Sequence, residues 1–288
     1  VDVVTPAIDP ARPAALFPGQ GSQVPGMRDD VATRAPGLLE RVTELVGEDP
    51  FARVEESTRF AQPAIFCASL AAWERASVHP SAAAGHSLGE LAALTAAGVL
   101  GRDDALALVV LRGRLMSEAD DTGSMLAVIG GTPEDAAAIA DAAGIVVAND
   151  NAPGQVILSG PRERLEDAEE AAREHGRRTL AVPVAGAFHT PAMEPAVAPF
   201  RAALDDVELG EPAFPVFSCA SAQPFEDVRE ELAQALVRPV RWRETFLALH
   251  EAGARRFVEV GPGTILARAG KRILRECPVE PLEAEAHV

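Results

Sequence analysis

The sequence predicts an α/β fold carrying a smaller inserted unit, on three observations. Short apolar runs alternate with helical patterns along a chain of 288 residues. Between residues 123 and 185 the texture changes to a βαββαβ order, and after it the α/β texture returns. A hydrophobic content of 48% lets the chain bury a substantial core, as one large domain or as a domain with an insertion.

Taken in order, residues 14–17 read as a first strand that empties into the loop Pro18-Gly19-Gln20-Gly21-Ser22-Gln23. This glycine-rich loop lacks the Lys-Ser/Thr pair of a phosphate-binding loop, which argues against nucleotide binding. Residues 88–97 read as a helix rich in Ala and Leu. Asp103 is expected to cap a helix running to about Ala119, because apolar residues recur at Leu106, Val109, Val110 and Met116. In the next stretch the expected elements are strand 125–129, an alanine-rich helix, strands 145–148 and 156–159, a charged helix over 161–175 and strand 179–184. That order makes a four-stranded sheet with two helices on one face. Residues 216–218 and 257–260 are later strands. The last residues, 276–288, are rich in Pro and Glu and read as a loose tail.

Composition narrows the function. Forty-three acidic against 26 basic residues give a net charge of −17, which argues against nucleic acid as a partner. Cys67, Cys219 and Cys277 are an odd, widely spaced set, so a reducing compartment is expected and no metal site. No apolar run approaches the roughly 20 residues that cross a bilayer. The chain is therefore read as soluble and cytoplasmic, with no membrane partner.

Gly85-His86-Ser87-Leu88-Gly89 is a G-x-S-x-G pattern between a short strand and a helix. Such a turn presents its serine for attack, and side chains at the two glycine positions would collide with the strand and helix being joined. Ser87 is the candidate nucleophile, and the backbone amide of Leu88 would face developing negative charge from a helix N-terminus. A serine nucleophile needs a base within reach. Of six histidines, His79, His175, His250 and His287 read as surface residues, and His86 is expected to point away from the serine. His189 lies where an apolar strand empties into a small-residue loop, and it is the candidate base. Arg112 has Leu108, Val109, Leu115 and Met116 as its helical neighbours, so its guanidinium emerges from an apolar face. The ordinary account is an internal ion pair or a snorkelling side chain. The sharper one is a receptor for a substrate carboxylate, bound through two hydrogen bonds.

Together, Phe17-Pro18-Gly19-Gln20-Gly21-Ser22-Gln23, Gly85-His86-Ser87-Leu88-Gly89-Glu90, Arg112-Gly113, Asn149-Asp150-Asn151-Ala152-Pro153-Gly154-Gln155, Gly186-Ala187-Phe188-His189 and Glu259-Val260-Gly261-Pro262-Gly263 resemble the malonyl-CoA:acyl carrier protein transacylases. The resemblance implies an α/β-hydrolase-like large domain, residues 14–122 and 186–275, with a ferredoxin-like insertion over 123–185 and a tail from 276. It implies that Ser87 attacks a malonyl thioester, that His189 takes its proton, and that the amides of Gln20 and Leu88 stabilise the oxyanion. Arg112 would bind the malonyl carboxylate, with Asn151, Asn149 and Gln62 near the substrate and Phe188 limiting room at the α-carbon. A backbone carbonyl near Ala235, rather than a carboxylate, would orient His189. The segment from Leu236 to Trp242 departs from the family's frequent Asn before the proline. The acyl group would pass from malonyl-CoA to the phosphopantetheine thiol of acyl carrier protein without metal or redox cofactor, and a monomer is expected.

Arg268, Lys271, Arg272 and Arg275 stand at i, i+3, i+4 and i+7 and form a candidate docking stripe for the carrier. A solvated helix face is its ordinary alternative. Three rivals share the chemistry or the scaffold: a serine esterase or thioesterase, a discrete polyketide-synthase acyltransferase, and a non-catalytic carrier-binding module.

Overall fold

The computed structural model describes residues 8–282. Five parallel strands form the larger sheet, in the order β7 (Val216–Phe217), β2 (Ala82–Gly85), β1 (Ala14–Phe17), β8 (Phe257–Glu259), β9 (Val279–Pro281). Its central strands are buried on both faces, which is why they read as unbroken apolar runs rather than alternating ones. Ala15 and Phe17 point to one side, where α3 (Thr58–Trp73), α4 (Gly89–Ala96), α5 (Arg102–Ala119) and α8 (Glu194–Asp205) supply Phe66, Leu91, Val109 and Phe200. Ala14 and Leu16 point to the other, against Trp242 and Phe246 of α10 (Trp242–Glu251) and Leu266 of α11 (Ile265–Ile273). Each such fully buried large side chain contributes about 1.5–3 kcal/mol.

Between α5 and α8 the chain builds a second sheet, antiparallel, in the order β4 (Val146–Ala152), β5 (Gln155–Pro161), β3 (Gly123–Ile129), β6 (Arg178–Val182). Alternation is clear here. Leu126, Val128, Val156 and Leu158 pack on Ile139, Ala140, Leu165 and Ala168 of the two covering helices, α6 (Pro133–Ala143) and α7 (Arg162–Glu174). The opposite face turns Met125, Ile157 and Val182 toward the larger sheet. Strand β4 is tied to that side: Val240 donates to the carbonyl of Ala148 and accepts from the amide of Asp150, both at 2.8 Å. Arg243 on α10 also forks the Asp150 carboxylate, at 2.6 and 2.9 Å from Oδ2.

Three local expectations need correction. Gly101, not Asp103, is the N-cap of α5; Asp103 lies in its first turn, where its charge favours the helix dipole without capping it. The segment read as a loose tail supplies β9, held parallel to β8, with Val279 and Cys277 buried against the α10–α11 side. Residues 283–288, the remainder of that tail, and His287 lie outside the described residues. Finally, α11 ends at Ile273, so Arg275 follows the helix rather than continuing its face.

Candidate active site

The turn after β2 is sterically fixed. A Cβ on Gly85 would sit 1.9 Å from the backbone carbon of Gly89, and one on Gly89 would sit 2.2 Å from the carbonyl oxygen of Phe17. Between them Ser87 adopts φ +54°, the left-handed conformation of a sharp strand-to-helix turn. From below, the Ser87 amide donates to Sγ of Cys219 at 3.4 Å. Cys219 is placed in turn by Glu90, whose buried Oε1 accepts from the Cys219 amide at 2.7 Å and from Ser218 Oγ at 3.1 Å. Burial pushes the Glu90 carboxyl up to about 7, against the pull of those bonds and of Arg112.

Ser87 Oγ lies 2.9 Å from Nε2 of His189, which itself has φ +58°. His189 Nδ1 donates to the carbonyls of Ala235, at 2.9 Å, and Arg238, at 3.2 Å. This fixes the tautomer that leaves Nε2 free to accept a proton. Burial first, and then the charge of Arg112, push the imidazole down to about 3, so it stands neutral beside the serine.

Arg112 is 3% exposed and reaches the same serine from α5. Its Nη2 donates to Ser87 Oγ at 3.1 Å and its Nη1 to Gln62 Oε1 at 2.6 Å. Gln62 donates to Thr58 Oγ1 at 2.9 Å, and Thr58 donates to Gln20 Oε1 at the same distance. No carboxylate hydrogen-bonds the guanidinium among the described residues. Burial lowers it only to about 10, with Glu90 opposing that shift, so it remains a cation at neutral pH.

These groups open into one cavity of about 190 Å³ between the two sheets. Gln20, Leu88, Asn149, Asn151 and Phe188 all line it, so every substrate-site residue expected from sequence meets Ser87 here. Among the described residues no hydrogen bond uses the amide of Gln20 or Leu88, two residues that line this cavity. Asn149 is buried with its Oδ1 unpartnered. His86 bonds Asn151 rather than Ser87. It lines the cavity wall, donates from Nε2 to Asn151 Oδ1 at 2.8 Å and tilts against Trp242. Such a constellation can transfer a proton from Ser87 to His189 and hold an anion next to both. Sequence reasoning missed Cys219 and Glu90 beneath the turn, and the second carbonyl at Arg238. Only Glu90 left a signal, as a charged residue in the apolar stretch after the turn. Among the described residues no group of three metal-ligating side chains is placed to hold an ion, and no helix is long and apolar enough to cross a membrane.

The acyl transferase domain family matches residues 15–288. A malonyl CoA-acyl carrier protein transacylase of Bacillus subtilis is 34% identical over 286 residues, covering 91% of this chain and 90% of that protein. The chain belongs to the malonyl CoA-acyl carrier protein transacylase family. Polyketide biosynthesis protein ThaF of Burkholderia thailandensis is 38% identical over 91% of the chain, which spans only 24% of that longer protein. Among solved structures, a malonyl-transacylase in complex with a type II polyketide-synthase acyl-carrier protein superposes with a TM-score of 0.85 at 36% identity, covering 94% of each chain. On this member of the transacylase family, Arg268, Lys271, Arg272 and Arg275 are exposed and line one groove with Pro153. Arg275 joins them from beyond the helix end. Pro153, on the groove, follows cavity-lining Asn151 by two residues.

Proposed function

We propose that the protein transfers a malonyl group from malonyl-CoA to the phosphopantetheine thiol of acyl carrier protein, through an acyl-enzyme on Ser87. The observation that carries this reading is Arg112: a buried cation, hydrogen-bonded to neutral groups, one hydrogen bond from the serine. A buried charge without a countercharge is costly, and a substrate carboxylate supplies one through two parallel bonds. Gln62 holds Nη1 so that the fork faces the cavity.

In the proposed sequence His189 Nε2 takes the proton of Ser87 as Oγ bonds to the thioester carbon. The carbonyl oxygen becomes an oxyanion facing the amides of Gln20 and Leu88; losing one such donor typically costs about 10²–10³ in rate. Collapse breaks the C–S bond, and His189 returns the proton to the departing CoA sulfur. The carrier's thiol then gives its proton to His189 and attacks the acyl-serine carbonyl carbon; the C–Oγ bond breaks and His189 returns the proton to Ser87 Oγ. This double displacement calls for no metal or redox group, and its working unit is a monomer in the cytoplasm. Phe188 narrows the space at the α-carbon, and Asn149 and Asn151 face the acyl chain or its pantetheine.

The antiparallel sheet with α6 and α7 is read as a ferredoxin-like insertion, 123–185, in an α/β-hydrolase-like domain, 14–122 and 186–275. Its strand order supports that reading. The basic groove is read as the carrier's docking site. Polyketide rather than fatty-acid carriers are a second reading, favoured by the polyketide relatives on both comparisons.

Arg112→Ala tests the substrate assignment. Malonyl transfer should fall by at least about 10²-fold, the scale of a lost charge-assisted contact, while acetyl transfer is retained or gained. Equal malonyl and acetyl rates in the unmodified enzyme would contradict it.

A further inference from the structure

The chain passes between the two sheets twice, through residues 120–123 on the way in and 183–187 on the way out. Asp120 grips both passages. Its Oδ1 accepts from the amides of Thr122, at 3.0 Å, and Gly123, at 3.1 Å, and from Thr122 Oγ1 at 2.8 Å. Its Oδ2 accepts from the Ala187 amide at 2.7 Å. The neighbouring amide, Gly186, donates to the carbonyl of Gly123 at 3.1 Å, so the outgoing passage is held at two consecutive residues. Burial would raise the Asp120 carboxyl, but the donated bonds outweigh it and hold the group below its ordinary range.

The crossing is too tight for other residues. A Cβ on Gly123 would lie 2.1 Å from Asp120 Oδ2 and 2.4 Å from the Ala187 amide nitrogen. Gly186 has φ +126°, and its Cβ would lie 2.6 Å from the Phe188 ring. Two residues beyond Ala187 stands His189, with its backbone at φ +58° and its ring bonded through Nδ1 to the carbonyls of Ala235 and Arg238. Thr190 Oγ1 donates back to the Ala187 carbonyl at 2.7 Å and closes the turn. Asp120 is the C-cap of α5, the helix that carries Arg112. One rigid element thus presents the arginine and, at its end, holds the turn that presents the histidine.

We propose that Asp120 is a positioning residue for acyl transfer: its carboxylate sets where His189 stands relative to Ser87 while touching neither. This rests on His189 being the base. The carboxylate is required because Oδ1 and Oδ2 both accept, from opposite passages; an amide can accept on one side only.

The test is single-turnover acylation of Ser87 by malonyl-CoA in the full chain, with malonyl-CoA affinity measured in parallel in a Ser87→Ala background. Asp120→Ala should lower the acylation rate about 10²-fold, the cost of a misplacement on the order of 1 Å, and Asp120→Asn should lower it by less. Affinity should stay within about twofold in both. Asp120→Asn keeps shape and volume, so it carries the test if the alanine variant does not fold. The decisive readout is the double variant: added to His189→Ala, Asp120→Ala should cost nothing further, because its effect passes through the imidazole. Rates within about twofold of the unmodified enzyme in both variants, an equal loss of affinity, or a full additional loss in the double variant would overturn the clamp. His189→Ala alone separates the two readings: an unaffected rate there removes the base assignment and the clamp with it. A large loss there beside unaffected Asp120 variants removes only the clamp.

Discussion

His189 is set apart from an ordinary histidine by where its protons can go. Nδ1 is committed to two carbonyls and Nε2 faces Ser87, while burial and then Arg112 hold the ring near 3 instead of 6.5. The free-enzyme base governs the acid limb of kcat/KM. Acylation should therefore stay flat from about pH 8 to about pH 5. In Arg112→Ala the limb should move upward, since one of the two depressing causes is gone. A limb near 6.5 in the unmodified enzyme would contradict this electrostatic picture. The same shift bears on stability. Because the folded value lies below the unfolded one, the stability gained by holding His189 neutral is complete above about 6.5 and is lost as pH falls from there toward 3. Sequence alone marked this histidine by its setting, an apolar strand running into small residues. Its carbonyl partners left no trace in residue types, because a backbone oxygen has no side-chain signature.

At the scale of elements, the signal was strongest where one short stretch carried its own constraint. The glycines of the Ser87 turn are required by contacts under 2.5 Å, and both partners lie within the same strand, turn and helix or the adjacent strand. Strand β9 was illegible for the opposite reason. It is three residues long, carries Pro and Glu outward, and exists only by pairing with β8. The α5 cap misled because an acidic residue in a first turn and an acidic N-cap look alike in sequence. Helix α11 was half legible: the i, i+3, i+4 spacing found Arg268, Lys271 and Arg272, and the helix stop before Arg275 was not anticipated. If this groove receives the carrier, Lys271→Glu with Arg272→Glu should raise the carrier KM strongly. The effect should shrink as salt rises, because exposed charges are screened beyond about 8 Å at physiological ionic strength. An unchanged KM would remove the docking role.

For the molecule as a whole, the two sheets make the site jointly. The larger one delivers Ser87 and the Gln20 loop, α5 delivers Arg112, and the smaller sheet walls the cavity and hands the chain back through the turn that bears His189. The order of strands and helices foretold both sheets, because each unit has its own periodicity. How the two sheets face each other was not foretold; that rests on Asp150 with Arg243, Val240 with β4, and Asp120 across the double passage. A chain of net charge −17 repels acidic partners generally, so the proposed docking of an acidic carrier falls on the basic groove. In the proposed cycle Ser87 relays a malonyl group between two thiols. Intact-mass measurement of the protein after mixing with malonyl-CoA reads that relay. One malonyl adduct, mapped to Ser87, should persist in buffer and be discharged on adding a holo carrier protein. Absence of the adduct would remove the acyl-enzyme on Ser87, and its loss to water as fast without the carrier as with it would make the protein a hydrolase.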